Sequence, residues 1–204
     1  AGMLAAASPA VSGDKVVFPY SSGEVMAFDI ESGEAVWQDF VTRTIRTLAI
    51  SGIADVSGSP VISDGTVYAT GVSGRTIAVS LADGTRRWEN DLGGTSTPVV
   101  SGNAMFIVDL DGRMVAMDRS DGSILWATPL PRPNKRRDEA WSGPVLAGGS
   151  LWAISNDGRL AAVDPADGRV KSDTDVGTAG YLSPVVAGER MIVVTDAGEI
   201  SAFR

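Results

Sequence analysis

Thr97-Pro98-Val99-Val100-Ser101-Gly102-Asn103-Ala104-Met105-Phe106-Ile107-Val108-Asp109-Leu110-Asp111-Gly112-Arg113-Met114-Val115-Ala116-Met117-Asp118-Arg119-Ser120-Asp121-Gly122-Ser123-Ile124-Leu125-Trp126-Ala127 reads as four short strands separated by three turns. Residues 98–101 form a first apolar strand, which Gly102-Asn103 reverses. Residues 104–109 alternate, with Met105 and Ile107 on one face and Phe106 and Val108 on the other. Asp111-Gly112 is a strong hairpin signal, because both central turn positions must accept positive φ. Residues 113–118 form a third strand, 118–122 turn it, and 123–127 form a fourth that carries Trp126.

The same unit recurs through the chain. Its opening returns as Ser8-Pro9-Ala10-Val11-Ser12-Gly13, Ser59-Pro60-Val61-Ile62-Ser63-Asp64-Gly65, Gly143-Pro144-Val145-Leu146-Ala147-Gly148 and Ser183-Pro184-Val185-Val186-Ala187-Gly188. The five prolines stand 51, 38, 46 and 40 residues apart. Four short antiparallel strands in each ~40–45 residues, repeated with the same punctuation, predict a β-propeller. A β-sandwich also has short strands, but not identical turns in every unit. Period-2 alternation dominates, and no segment holds a 3.6-residue stripe, which excludes helical repeats. The expected fold is therefore all-β: residues 1–204 as a single partial propeller, with blades near 8–41, 58–92, 96–128, 142–175 and 182–204.

Trp37, Trp88 and Trp126 each follow the last turn glycine (Gly33, Gly84, Gly122) by four residues, whereas the fourth unit keeps Gly168 without a tryptophan. These tryptophans are expected to pack between blades. A ligand-stacking platform is the other reading, and a position on the outermost strand argues against it.

Composition removes several chemistries. A net charge of −8 repels phosphate backbones and disfavours nucleic-acid binding. With no cysteine and no histidine, disulfides, thiolate sites, cysteine nucleophiles and imidazole bases are all excluded. No apolar stretch approaches the ~18 residues of a membrane span. The opening Ala1-Gly2-Met3-Leu4-Ala5-Ala6-Ala7 is too short, and lacks the basic flank, for a signal peptide, so any signal or lipid-attachment cysteine is expected upstream. The pairs Asp64-Gly65, Asp83-Gly84, Asp111-Gly112, Asp121-Gly122, Asp157-Gly158 and Asp167-Gly168 are accounted for by turn chemistry, and no metal or cofactor site is expected from them.

The strings Asp29-Ile30-Glu31-Ser32-Gly33-Glu34-Ala35-Val36-Trp37 and Asp118-Arg119-Ser120-Asp121-Gly122-Ser123-Ile124-Leu125-Trp126 resemble the pyrroloquinoline-quinone-type propeller repeat. The second unit departs with Ser80 in place of the aspartate, and the fourth retains only Asp164 and Gly168. Quinoprotein dehydrogenases of this type hold a calcium-bound quinone, in many members beneath adjacent cysteines, which this chain lacks. The chain is more similar to the BamB-type outer-membrane assembly lipoproteins, whose eight-bladed ring carries no cofactor. It ends Asp196-Ala197-Gly198-Glu199-Ile200-Ser201-Ala202-Phe203-Arg204 just after a third strand, and its insert at 41–57 runs into Asp55-Val56-Ser57-Gly58-Ser59-Pro60, as that family's does. The resemblance implies about five blades of an eight-bladed ring, completed by a companion N-terminal fragment or by self-association. It also implies a place on the periplasmic face of the outer membrane, through a lipid anchor upstream.

In that family the partner is the polypeptide-transport-associated (POTRA) region of BamA. The resemblance places this contact on Asp55, with Ser57 where a second family aspartate stands, and loosely on Met3 and Leu4. Long loops on a rigid scaffold commonly carry binding, and the inserts 41–57 and 129–141 are expected to rise from one face. In the first, Arg43 and Arg46 alternate with Ile45 and Leu48. That mixture suits an interface core with a polar rim, and equally an amphipathic loop that packs its own apolar residues on the second blade. The second insert concentrates Lys135, Arg136 and Arg137 on an acidic protein. It reads as a solvated proline-stiffened loop, or as steering toward an acidic partner or anionic head groups. The expected function is thus a non-catalytic protein-binding scaffold. A quinoprotein dehydrogenase-type fragment and another periplasmic ligand-binding propeller stand as alternatives.

Overall fold

A computed structural model describes residues 7–42, 58–132 and 140–204. Among the described residues, nineteen strands form five antiparallel sheets in chain order. The first holds β1 (Ala10–Ser12), β2 (Lys15–Pro19), β3 (Glu24–Asp29) and β4 (Ala35–Phe40); the second holds β5 (Val61–Ser63), β6 (Thr66–Gly71), β7 (Arg75–Ser80) and β8 (Arg86–Asn90). The third comprises β9 (Val99–Ser101), β10 (Ala104–Val108), β11 (Arg113–Asp118) and β12 (Ile124–Pro129). The fourth comprises β13 (Trp141–Ala147), β14 (Ser150–Ser155), β15 (Arg159–Val163) and β16 (Val170–Asp175), and the last has three strands, β17 (Val185–Ala187), β18 (Arg190–Val194) and β19 (Ile200–Phe203). Every strand pairs with its sequence neighbour, so each sheet is a meander. The first strands of successive sheets approach one another, which sets them at the hub of a partial β-propeller.

Burial follows from this stacking. A blade between two others buries both faces, so β6 is buried along its whole length and β10 nearly so. The two faces feed different seams. Met105 and Ile107 join Tyr68, Ala78 and Trp88 of the second blade, while Phe106 and Val108 join Trp141, Leu151 and Ala153 of the fourth. End blades bury one face only: Val17 is fully buried beside a half-exposed Phe18, and Val193 is fully buried beside Ile192 and Val194, which are only partly so.

One irregularity recurs in all four complete blades. The register slips between the third and fourth strands at Ala27/Phe28, Ala78/Val79, Ala116/Met117 and Ala162/Val163. The alanine at the slip pairs with Trp37, Trp88, Trp126 and Ser172 in turn. A bulge adds local twist, and a methyl group leaves the indole opposite free to lean toward the next blade.

Candidate protein-interaction surface

The chain leaving three of the four fourth strands, β4, β12 and β16, is tied to a hairpin of its own blade. Val41 N–H donates to the Gly23 carbonyl at 2.9 Å, Leu130 N–H to Gly112 at 3.0 Å and Val176 N–H to Gly158 at 2.8 Å. All three acceptors lie in turns between second and third strands, so the connections to the following blades leave from one face. The segment after Arg132 returns to the same face at Ala140, whose N–H donates to Asn156 Oδ1 at 3.1 Å and whose carbonyl accepts from Asn156 N–H at 2.9 Å.

The ends of both inserts differ from the sequence expectation. Val41 is fully buried in the seam between the first and second blades, and Leu130 is buried in the seam between the third and fourth. Pro129 closes β12, and Trp141, also buried, opens β13. The physical reason is that an apolar side chain just after each fourth strand plugs the next seam. Leu92 and Val176 take the same place in the other two.

The hairpins on this face are stiffened by side chains. Asp109 Oδ1 accepts the amides of Asp111 at 3.0 Å and Arg113 at 2.8 Å, while its Oδ2 takes Arg113 Nε at 2.7 Å. That hydrogen bond holds the Arg113 guanidinium pKa above its ordinary value. Ser155 Oγ performs the same capping for Asp157 and Arg159 at 3.2 and 3.0 Å. Arg159 in turn pairs with Asp173 at 2.6 Å, which raises its pKa as well, and Arg75 pairs with Glu89 at 3.4 Å. Beside these fixed cations stand exposed apolar groups: Tyr20 and Leu110 at hairpin turns, and Tyr181 and Leu182, 58% and 63% exposed, in the connection to the fifth blade. Apolar residues among immobilised arginines match the makeup of a protein interface.

On the opposite face, the turn carboxylates are occupied by their own backbone. Asp29 Oδ1 accepts Ser32 N–H at 2.8 Å and Asp164 Oδ1 accepts Ala166 N–H at 2.9 Å, and these bonds lower both pKa values. Asp118 is lowered by the Ser120 hydroxyl and then its amide, and Asp83 by the Thr85 amide. Among the described residues no three acidic side chains converge as a metal cage would require.

Met3, Leu4, Arg43, Ile45, Arg46, Leu48 and Asp55 lie outside the described residues, as do Lys135, Arg136 and Arg137. Trp37, Trp88 and Trp126 are placed, and the three are alike. Trp37 Nε1 donates to the Leu81 carbonyl at 2.8 Å, Trp88 Nε1 to Arg119 at 2.8 Å and Trp126 Nε1 to Pro165 at 3.2 Å. Each acceptor belongs to the next blade and stands three residues before its turn glycine. A Cβ on Gly84 would lie 2.7 Å from Trp37, one on Gly122 2.5 Å from Trp88, and one on Gly168 2.6 Å from Trp126. Tyr20, Leu110, Tyr181 and Leu182 were not singled out from the sequence. The signal for Leu110 was there, since it is an apolar residue at a hairpin tip between two aspartates.

The family model for the outer membrane protein assembly factor BamB matches residues 1–128 and 132–204. The chain belongs to the BamB family. BamB of Alkalilimnicola ehrlichii is 29% identical over 87 residues, covering 43% of this chain and 23% of that protein. BamB of Escherichia coli (strain K12) is 31% identical over 72 residues, 35% of this chain and 18% of that protein. These alignments span less than a quarter of the relatives' length. In three dimensions the chain superposes on BamB from Moraxella catarrhalis with a TM-score of 0.84 at 22% identity, covering 98% of this chain and 59% of that one. Quinohemoprotein alcohol dehydrogenase from Comamonas testosteroni shares the fold at TM-score 0.66 and 15% identity, over 94% of this chain and 39% of that one.

Proposed function

We propose that this BamB-family chain is a non-catalytic scaffold of the outer-membrane protein assembly machinery, docking on the POTRA region of a BamA-like protein through the hairpin and connection face. In this reading it works in the periplasm and is held at the outer membrane by a lipid anchor. The observation that carries it is the combination of family membership with a rigid face on which Leu110, Tyr181 and Leu182 stand exposed beside Arg113 and Arg159. The chain enters both inserts from this face at Val41 and Leu130, which supports a proposal that Arg43, Ile45, Arg46, Leu48 and Asp55 extend it. Met3 and Leu4 are proposed as a second contact.

The test is co-purification from detergent-solubilised cell envelope with the tagged protein, its Asp55→Ala variant, an Ile45→Ala/Leu48→Ala variant and a Leu110→Ser variant. The expected outcome is recovery of a BamA-like protein by the parent and reduced recovery by the variants, each of which keeps the parent's melting temperature. Equal recovery by all four would remove the site from this face. Recovery of no such protein by the parent would remove the assembly reading itself.

A further inference from the structure

The blades are built on one repeat, and its polar departures gather at the seam between the second and third blades, on the face opposite the hairpins. The turn from first to second strand opens with Gly13, Gly102, Gly148 or Gly188 in four blades. In the second blade it opens with Asp64, which among the described residues is the one non-glycine at positive φ, +48°. Val17, Phe106, Trp152 and Ile192 hold the place of Tyr68 in the other blades, and Ile30, Leu81 and Pro165 hold that of Arg119. Arg119 ties the substituted residues together. Its guanidinium donates to Tyr68 Oη at 3.2 Å, Ser63 Oγ at 3.0 Å, Asp64 Oδ2 at 2.8 Å and the Gly102 carbonyl at 2.7 Å. Beside this cluster opens a polar cavity of about 350 Å³, within the ~300–1,000 Å³ of small-molecule sites.

Clamping of the two blades accounts for the Arg119 bonds but not for the polar groups left over beside them. Thr66 lines the cavity although it is 98% buried, and its hydroxyl has no partner among the described residues. The Tyr68 hydroxyl accepts from Arg119 and keeps its own hydrogen to donate. Arg87 and Asn103 stand exposed at the rim, their side chains bonded to nothing among the described residues. Asp118 Oδ1 takes the Ser120 amide and hydroxyl, which leaves Oδ2 free, and Asp64 likewise keeps Oδ1. Donors therefore stand beside two free carboxylate oxygens, and the charges of Arg87, Arg119, Asp64 and Asp118 cancel. An anion here would face two carboxylates and a cation two guanidiniums. A neutral hydroxyl group meets neither penalty, and each one calls for a donor and an acceptor together. We infer that this cavity binds a neutral polyhydroxylated ligand, a mono- or disaccharide. The one aromatic ring in its lining, Tyr68, is buried, so recognition rests on hydrogen bonds rather than stacking. The site lies across the molecule from the proposed docking face and stands independently of that reading.

The test is titration of the isotope-labelled full chain with D-glucose, D-galactose, N-acetyl-D-glucosamine and maltose, followed by amide chemical shifts. Sodium acetate and ethylammonium chloride serve as the charged probes. The expected result is saturable shifts at residues 64–68, 102–104 and 118–120 with at least one sugar, and none with either ion. Two variants are compared at the parent's melting temperature: Arg87→Leu, which installs the residue that the third blade has at Leu125, and Thr66→Val. Each is expected to weaken sugar binding about tenfold, as the loss of one hydrogen bond at a charged or buried group does. Absence of a saturable shift with all four sugars would overturn the inference. So would equal shifts with acetate or ethylammonium, or parental affinity in both variants.

Discussion

Each inter-blade tryptophan reads its neighbour at two atoms, through an indole N–H on a carbonyl and a ring face on a glycine that has no Cβ. For Trp88 these are the Arg119 carbonyl at 2.8 Å and Gly122. A buried tryptophan removes roughly 150–250 Å² from water, so Trp88→Ala should cost about 3–5 kcal/mol in unfolding free energy. Trp88→Phe keeps the ring and drops the donor, and it should cost clearly less than alanine. Urea unfolding of the three proteins checks the order; a Trp88→Ala protein as stable as the parent would contradict it. Arg119 secures the same seam from the other side. It donates to Tyr68 Oη at 3.2 Å, Asp64 at 2.8 Å and the Gly102 carbonyl at 2.7 Å, so one residue joins the second and third blades. The sequence shows the spacing from glycine to tryptophan. It does not show that the glycine meeting each indole belongs to the following unit, because that partnership exists only once the blades stack.

At the scale of the element, the turns between third and fourth strands carry the acid sensitivity. Asp29, Asp118 and Asp164 accept hydrogen bonds from Ser32, Ser120 and Ala166, and all three titrate below the ordinary aspartate value of 3.8. A carboxylate whose folded pKa is depressed contributes stability that is present above its unfolded value and lost as pH falls through the folded one. Unfolding midpoints should therefore change little through these groups above pH about 4 and drop as pH is lowered further. Denaturant titrations at stepped pH check this, with an Asp29→Asn/Asp118→Asn/Asp164→Asn protein expected to lose much of the dependence; an unchanged slope in that variant would contradict it. Strand existence was legible at this scale because Gly-Asn, Asp-Gly and Ser-Pro punctuate alternating runs, and residues 113–118 coincide with β11. Strand ends were less so. Asp109 reads as a strand residue, yet its carboxylate caps the hairpin and the strand stops at Val108. Two further periodic signals lay unread in the sequence. The alanines 27, 78, 116 and 162 and the plugs Val41, Leu92, Leu130 and Val176 both recur at the proline intervals of 51, 38 and 46 residues. Their role needs the bulge and the seam to be seen.

The whole molecule is an arc whose interior blades are buried on both faces and whose ends are not. Its rigidity comes from repetition at three radii. At the hub, Ser8 N–H donates to Ser59 Oγ at 2.9 Å and Ser59 N–H to Thr97 Oγ1 at 3.0 Å, so in the first three blades the residue before the repeated proline bonds to its counterpart in the next. Apolar clusters fill the middle of each seam, and tryptophans lock the rim. A frame of this kind holds loops in fixed relation, and here the described chain leaving β4 and β12 departs on the side of the hairpins. The sequence led to an expected site in a pair of inserts and at Asp55, and Asp55 lies outside the described residues. The exposed Leu110, Tyr181 and Leu182 were not legible, because their exposure depends on which connections the stacked blades leave uncovered. Binding to an assembly partner through that face is the central claim, and hydrogen-exchange footprinting of the protein with the purified POTRA region of a BamA-like protein tests it most directly. The account predicts slowed exchange in the hairpins at residues 20–23, 109–112 and 155–158 and in the connections that follow the fourth strands. Slowed exchange confined to the opposite turns, at residues 29–34, 80–85 and 118–123, or none anywhere, would contradict it.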